Sequence, residues 1–249
     1  MSSARRLPPL RSLAVMCVLG SSALLMTACT NADTTRSSVA EAAPTAYPSG
    51  SASPSASPSS ASPSASMNQD RTERKALVSM AKVTWDKAAD TAVKEVSGGK
   101  LVDLELKQTS DEATATAGSP SPSTPNPAPS KGSPEWEAKV ATSDGTVHRI
   151  DIDAVSGKVF RTQEEPDQSA DDKQEVAGML SKATQTPQQA VKAATAETKG
   201  TVTGVELDQN DNQQVTWAVD VVSTDTWDKT TVDVDATNGK ILGRHVDSD

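Results

Sequence analysis

Few side chains in this chain have the chemistry to act, and their spacing narrows what that chemistry is. There are two thiols, Cys17 and Cys29, and two imidazoles, His148 and His245. The pairs Asp151-Ile-Asp153 and Asp233-Val-Asp235 share the Asp-x-Asp spacing that opens a calcium loop. Such a loop also needs an oxygen ligand at its fifth position and glycine at its sixth. Val155-Ser156 and Thr237-Asn238 stand there instead. Each pair therefore reads as an outward acid followed by an Asp that starts a turn. The histidines lie far apart, in parts of the chain that do not correspond, and no His/Cys set has zinc-ligand spacing. There is no Gly-x-Ser-x-Gly elbow and no glycine-rich phosphate loop. The expectation is a protein that is not an enzyme, with no catalytic, cofactor-binding or metal-binding residue and no cofactor.

Cys29 is the exception. Arg5, Arg6 and Arg11 form a basic start, Leu13 to Met26 is mostly apolar, and Thr27-Ala28 places small residues just before the cysteine. The apolar run has the length of a signal core and is short for a spanning helix. Leu25-Met26-Thr27-Ala28-Cys29 resembles the lipobox of bacterial lipoproteins, with Met26 where Leu is usual. The resemblance implies that residues 1–28 are a signal peptide and that Cys29 becomes the lipid-bearing first residue. The protein would then be anchored at the outer face of the bacterial cell membrane. Cys17 leaves with the signal, so the mature part has no thiol for a disulfide or a nucleophile.

The chain carries 33 acidic and 24 basic residues, a net charge of −9. The signal holds three of the arginines and no acid, which leaves 33 acids against 21 bases, or −12, for the mature part. Nucleic-acid affinity rests on neutralising phosphates with Lys and Arg, so no nucleic acid is expected as a partner. Aromatic residues are scarce: Trp85, Trp136, Trp217, Trp227, Tyr47 and Phe160. A large aromatic-lined ligand pocket is not expected.

Residues 29–69 contain too little apolar surface to offset ordering entropy. Ser51-Ala-Ser-Pro54, Ser55-Ala-Ser-Pro58 and Ser60-Ala-Ser-Pro63 repeat one tetrapeptide. The segment reads as a disordered tether with a coil span of roughly 35 Å. A second stretch of this kind, 110–134, passes through Pro125-Asn-Pro-Ala-Pro129.

The rest of the chain contains one unit twice. Thr84, Ala88, Glu95 and Gly98 match Thr186, Ala190, Glu197 and Gly200; Leu104-Glu-Leu106 matches Val205-Glu-Leu207; Trp136 matches Trp217. Asp151-Ile-Asp-Ala154, Gly157-Lys-Val159 match Asp233-Val-Asp-Ala236, Gly239-Lys-Ile241. Internal repetition fixes the architecture before any local reading. Each copy opens with a short helix and a second one at helical spacing. In copy two, Thr186, Pro187 and Gln189 form a helix start with a capping box. Alternating runs then follow as strands, with Gly157 and Gly239 suited to a tight hairpin. The expected fold class is α+β: two tandem units, each a helix or helix-turn-helix followed by a three- to four-stranded antiparallel sheet. Unit 1 spans 70–163 with a disordered Pro-rich loop at 110–134, 164–172 is a linker, and unit 2 spans 173–249. The copies either pack on each other or continue one sheet. Trp136 and Trp217, being equivalent, read as packing residues. Trp85 and Trp227 have no aromatic counterpart and are read as partly buried against the helices.

On the closing motifs, Ile150 to Val159 and Val232 to Ile241, the chain resembles the PepSY domain, present twice. Trp where Tyr is common, and the Pro-rich insert, depart from the family pattern. The resemblance implies a non-catalytic extracytoplasmic module. PepSY domains occur in propeptides of secreted metallopeptidases and in bacterial surface proteins, and are proposed to inhibit or regulate peptidases. Two tandem helix-plus-sheet units are also similar in architecture to β-lactamase inhibitory proteins. The expected partners are the membrane, through lipid on Cys29, and a protein, either a peptidase or another envelope protein. A sensor or accessory role in envelope signalling and an envelope-structural or ligand-binding role are the alternatives.

Overall fold

The structure, a computed structural model, describes residues 63–111, 126–210 and 212–247. Cys29, the assigned signal and most of the assigned tether lie outside the described residues. The element order is α1 (Pro63–Met80), α2 (Trp85–Glu95), β1 (Lys100–Gln108), β2 (Pro134–Ala141), β3 (Val147–Asp153), β4 (Val159–Glu164), α3 (Ala170–Lys182), α4 (Pro187–Glu197), β5 (Thr201–Gln209), β6 (Val215–Val222), β7 (Lys229–Asp235) and β8 (Ile241–Asp247). The sequence motif therefore becomes helix, helix and four strands, twice. α1 opens at Pro63, inside the Ser/Ala/Pro-rich stretch given to the tether. Proline is tolerated at a first helical position because the missing N–H has no intrahelical partner there.

Local chemistry sets the helix starts. Thr186 accepts from the Gln189 backbone N–H, and the Gln189 side chain accepts from the Thr186 N–H at 2.8 Å, so the expected capping box forms. Ser169 and Asp172 build the same device on α3. The inner face of α2 is Ala88, Ala89 and Ala92, and that of α4 is Ala190, Val191 and Ala194, all buried. Small side chains let both helices lie close to the sheet.

All eight strands form one antiparallel sheet in the order β4-β3-β2-β1-β5-β6-β7-β8. The two units thus continue one sheet, and the join is β1 against β5. Its register is Asp103↔Glu206, Leu104↔Val205 and Glu105↔Gly204. Leu104 and Val205 are equivalent residues of the two copies, and here they face each other. A pseudo-twofold axis therefore runs between them. The irregularities of the ladder obey it: a bulge between Leu101 and Asp103 answers one between Val202 and Gly204. The bulge between Asp151 and Ile152 answers one between Asp233 and Val234.

Each unit has its own core on the helix side of the sheet. The equivalent tryptophans anchor them. Trp136 Nε1–H donates to the Val83 carbonyl at 2.8 Å, and Trp217 Nε1–H donates to the Gln185 carbonyl at 2.9 Å. Both rings are buried and both tie the strand to the link between the unit's two helices. Trp85 packs against both cores.

The first helix of each unit reaches across to the other unit. On α1, Arg71 Nη2 lies 2.7 Å from Asp228 Oδ1, and Lys75 Nζ sits 5.6 Å from the centroid of the Trp227 ring, in the β6–β7 turn. Trp227 is held at φ 64 there. On α3, Met179 and Leu180 share a core cluster with Val102, Ala141 and Val147 of unit 1. The β2–β3 turn passes so close beneath α3 that a Cβ on Gly145 (φ +86) would meet the Lys173 carbonyl oxygen at 1.8 Å. The two clasps are equivalent in place and different in chemistry, one ionic and aromatic, the other a close backbone approach.

Two consequences are measurable by urea denaturation. Gly145→Ala brings a positive-φ penalty and a backbone clash, and is expected to cost about 2–4 kcal/mol. Trp136→Phe and Trp217→Phe each remove a buried donor, orphan a carbonyl and leave a void, with an expected loss of about 1–3 kcal/mol. Because the two sites are equivalent, the two losses should agree within about 1 kcal/mol; a large inequality would show that the halves are not energetically alike.

Candidate protein-interaction surface

The helices cover one face of the sheet, which leaves a polar face and two edges as functional surface. Side chains alternate across a strand, so the charges of β1 to β4 gather on the polar face. In unit 1 they form a network. Arg149 Nε–H donates to Asp151 Oδ1 at 2.9 Å, Arg149 Nη2 lies 2.6 Å from Glu137 Oε2, and Arg161 Nε lies 3.1 Å from Asp151 Oδ2. Lys107 pairs with Glu137, and Lys139 Nζ lies 3.3 Å from Asp103 Oδ2. Asp151 is fully buried, so the sequence reading of an outward acid is corrected: two arginines enclose it. Burial pushes its carboxyl up, against the pull of Arg149. Burial also raises Glu135, and the Asp151 charge adds to that rise. Glu137 shares the desolvation, but Arg149 and Lys107 outweigh it and hold its carboxyl low.

Unit 2 lacks that network because its cations are gone. Lys107, Lys139, Arg149 and Arg161 correspond to Asp208, Asp220, Thr231 and Gly243. Asp220 is served by Lys229 Nζ at 3.4 Å and by the Thr231 hydroxyl, which donates at 2.6 Å. The second acids of the Asp-x-Asp pairs do start turns, as expected. The Asp153 carboxylate accepts from Val155 N–H at 2.8 Å and from the Ser156 hydroxyl at 2.6 Å. That of Asp235 accepts from Thr237 N–H, Asn238 N–H, Asn238 Nδ2 and Gln214 Nε2. The Thr237 hydroxyl also donates to it and is foremost among the donors that hold Asp235 down to about 2. Gly157 and Gly239 take the positive φ of the same turns, at 76° and 73°.

Of the other residues weighed for chemistry, the histidines end up in separate halves of the sheet. His148 lies in β3, while His245 lies in β8 with Nε2 3.3 Å from Asp247 Oδ1. Among the described residues no group of three or more His, Cys, Asp or Glu is placed to hold a metal ion. Cys29 lies outside the described residues. At the seam of the units on the helix side, Val78, Ala81, Trp85, Leu106, Val191 and Val202 line an open cleft of about 370 Å³.

The two edges of the sheet are equivalent by repeat and treated differently. At β4 the Pro-rich segment returns to the sheet: Asn126 Nδ2 donates to the Val159 carbonyl at 2.8 Å. Segment 126–133 ends in a turn tied to β1, with Thr109 N–H donating to the Ser133 carbonyl and Gly132 N–H to the Thr109 carbonyl. Phe160, next to Val159, is 3% exposed. At β8 the residues equivalent to Val159 and Phe160 are Ile241 and Leu242, 39% and 47% exposed. Copy two has a short β5–β6 connection at this end, where Asn210 Oδ1 accepts from the N–H groups of Asn212 and Gln214. Sequence reasoning missed the polar network and the unequal edges. The network was marked by charges at every second position of β2 and β3, and the edges by the Pro-rich insert being in one copy only.

The two buried carboxyls respond to pH with opposite signs. Glu135 sits above its ordinary value, so its ionisation costs the folded state stability as pH rises past 4.5. Glu135→Gln is expected to stabilise the fold at pH 7 by about 1 kcal/mol, with the gain vanishing near pH 3. Asp235 sits below its ordinary value, so its contribution is full above about pH 4 and is lost as pH falls towards 2. Asp235→Ala should therefore cost about 1–2 kcal/mol at pH 7, from lost charge-assisted hydrogen bonds, and much less at pH 2. Thermal melts of both variants at pH 3 and pH 7, with a further one at pH 2 for Asp235→Ala, check the two signs.

Comparison with known proteins gives one family match and two solved structures. A crystal structure of a candidate lipoprotein from Clostridium difficile 630 is similar at 18% identity, covering 67% of this chain and 95% of that one, with a TM-score of 0.35. The YpmB protein from Bacillus subtilis is similar at 16% identity, covering 64% of this chain and 94% of that one, with a TM-score of 0.24. No curated protein matches the chain. The family described as peptidase propeptide and YPEB domain, PepSY, matches residues 184–245, from the link between α3 and α4 into β8.

Proposed function

We propose that this protein is a lipid-anchored extracytoplasmic binding module in which two PepSY units, not one, are carried on a tether and engage a partner protein. The observation that carries the reading is the PepSY match at 184–245 together with the element-by-element correspondence of unit 1 to that unit. The two have the same element order, the same Trp-to-carbonyl bond and the same Asp-capped turn. Cys29, behind its apolar run, is the lipid-bearing residue, and it puts the units outside the membrane. None of the described helices is long and apolar enough to cross a membrane, which agrees with anchoring by lipid. The partner class is an extracytoplasmic peptidase, inhibited or regulated by occupancy; no residue of this chain performs chemistry on it.

Two measurements test this. Metabolic labelling with a fatty-acid analogue should mark the wild-type chain and be lost in Cys29→Ser, with the variant released from the membrane fraction; undiminished labelling refutes the anchor. The full mature chain, purified in detergent, should slow at least one secreted peptidase of the producing cell in proportion to its concentration. If every such peptidase is neither bound nor slowed, the peptidase reading fails and a non-peptidase envelope partner takes its place.

A further inference from the structure

We infer that β8 is the docking edge for an extended, proline-containing, acidic segment of the partner protein. The inference rests on the protein-binding reading above and names the surface it uses. An edge strand presents unpaired N–H and C=O groups, and native proteins cover or blunt such edges. This sheet has two, made equivalent by the pseudo-twofold axis. The β4 edge is reached from within the chain by the Pro-rich segment, whose Asn126 side chain donates to the Val159 carbonyl. The β8 edge has no counterpart segment, because copy two lacks the insert. Its apolar side chains Ile241, Leu242 and Val246 are 39%, 47% and 43% exposed. α4 packs on β5, β6 and β7, and beside β8 a groove of about 250 Å³ opens between Glu197 at the end of α4 and Ile241, Leu242 and Arg244.

The first copy shows what kind of segment fits this edge, and charge selects its source. Proline-rich chain is extended without internal hydrogen bonds, so it can lie beside an edge at little ordering cost and offer a side-chain amide to a carbonyl. At β8 that carbonyl is the one of Ile241, and Leu242 takes the place of Phe160. Lys240 and Arg244 are exposed here, in a protein that is otherwise strongly acidic. A second copy fits poorly: an antiparallel pairing centred on β8 sets Arg244 against Arg244, and like charges directly opposite destabilise a strand pair. The chain's own Ser/Ala/Pro repeats also fit poorly: residues 42–62 hold no acid to meet those cations, and the tether's two acids, Asp33 and Glu41, precede that run. A partner segment with acids flanking its prolines meets Lys240 and Arg244 when its prolines, and not its acids, lie beside Glu197 in the groove. Strand addition of this kind takes affinity from the backbone and specificity from the flanking side chains.

The test places the photo-cross-linker p-benzoylphenylalanine at Leu242 in the full chain, expressed in its own cell, with the same probe at Lys192 on the exposed side of α4 as a second arm. The expected result is an adduct at position 242 with one extended segment of another envelope protein, containing proline and Asp or Glu. That adduct should fall about tenfold when Arg244→Glu is combined with the probe. Arg244→Gln gives a smaller fall, and both variants should melt as wild type does. Adducts at position 242 with the tether or with a second copy overturn the inference, as does a partner adduct indifferent to Arg244→Glu. Partner adducts at Lys192 with none at 242 overturn the docking edge and leave the protein-binding reading standing. No adduct from either position overturns the docking edge, and the protein-binding reading is then decided by the peptidase measurement above.

Discussion

The antiparallel pairing of β1 with β5 is the constraint on which the rest of the molecule depends. Each unit alone is about 70 residues with an Ala- and Val-rich core, and units of that size bury little. Joining them at β1 and β5 removes one edge from each sheet and places Leu104 against Val205 beneath both cores. Once equivalent residues face each other, the twofold relation is fixed, and so is the destination of every other element. β4 and β8 must become the outer edges. α1 and α3 must each come over the turn of the opposite unit, where Arg71 meets Asp228 and the Lys173 backbone covers Gly145. The clasps follow from the join and also reinforce it, since neither unit can slide along the axis without losing both.

Much of this was legible in the residues. Alternation marked strands in both units, and Thr186-Pro-x-Gln189 marked the start of α4 to the residue, because those signals are local and chemical. The repeat gave the unit. The register of β1 on β5 was not legible, because the signal for strand pairing between units lies in geometry that both half-polar strands permit equally. The true start of α1 was hidden too. Pro63-Ser-Ala-Ser66 has the composition of the tether, and its helix is set by packing further along, where Leu77 and Val78 meet the unit 1 core.

The polar face was misread for an instructive reason. An acid at an alternate position of a strand is normally outward and solvated, and Asp151 satisfies that pattern in sequence. What reverses it is the pairing of β3 between β2 and β4, which brings Arg149 and Arg161 against the same carboxylate. Burying a charge is costly unless it is paired, and unit 1 supplies the pairs while leaving Glu135 paired only loosely, with Lys107 Nζ 3.9 Å from Oε1. Unit 2 has exchanged each cation for Asp, Thr or Gly. The duplicated sheet therefore has one half whose polar face is locked by ion pairs and one half whose polar face is predominantly acidic.

The edges diverge along the same line as the faces, so a twofold scaffold presents two unlike ends. Duplication alone yields two equal edges, and two equal open edges invite self-association. The Pro-rich insert breaks that equality, because it exists only in unit 1 and returns to β4 through Asn126. Arg244 at the middle of β8 discourages the remaining edge from pairing with itself. What is left among the described residues is an edge with exposed apolar side chains, Lys240 and Arg244 beside it, and a groove lined by Glu197 of α4. The opposite half carries the ion-pair network, and Asn126 reaches its edge at Val159. The two units therefore differ in the same two respects, the charges of the polar face and what reaches the outer edge, and on the docking reading proposed above it is the edge of unit 2 that is left for a partner.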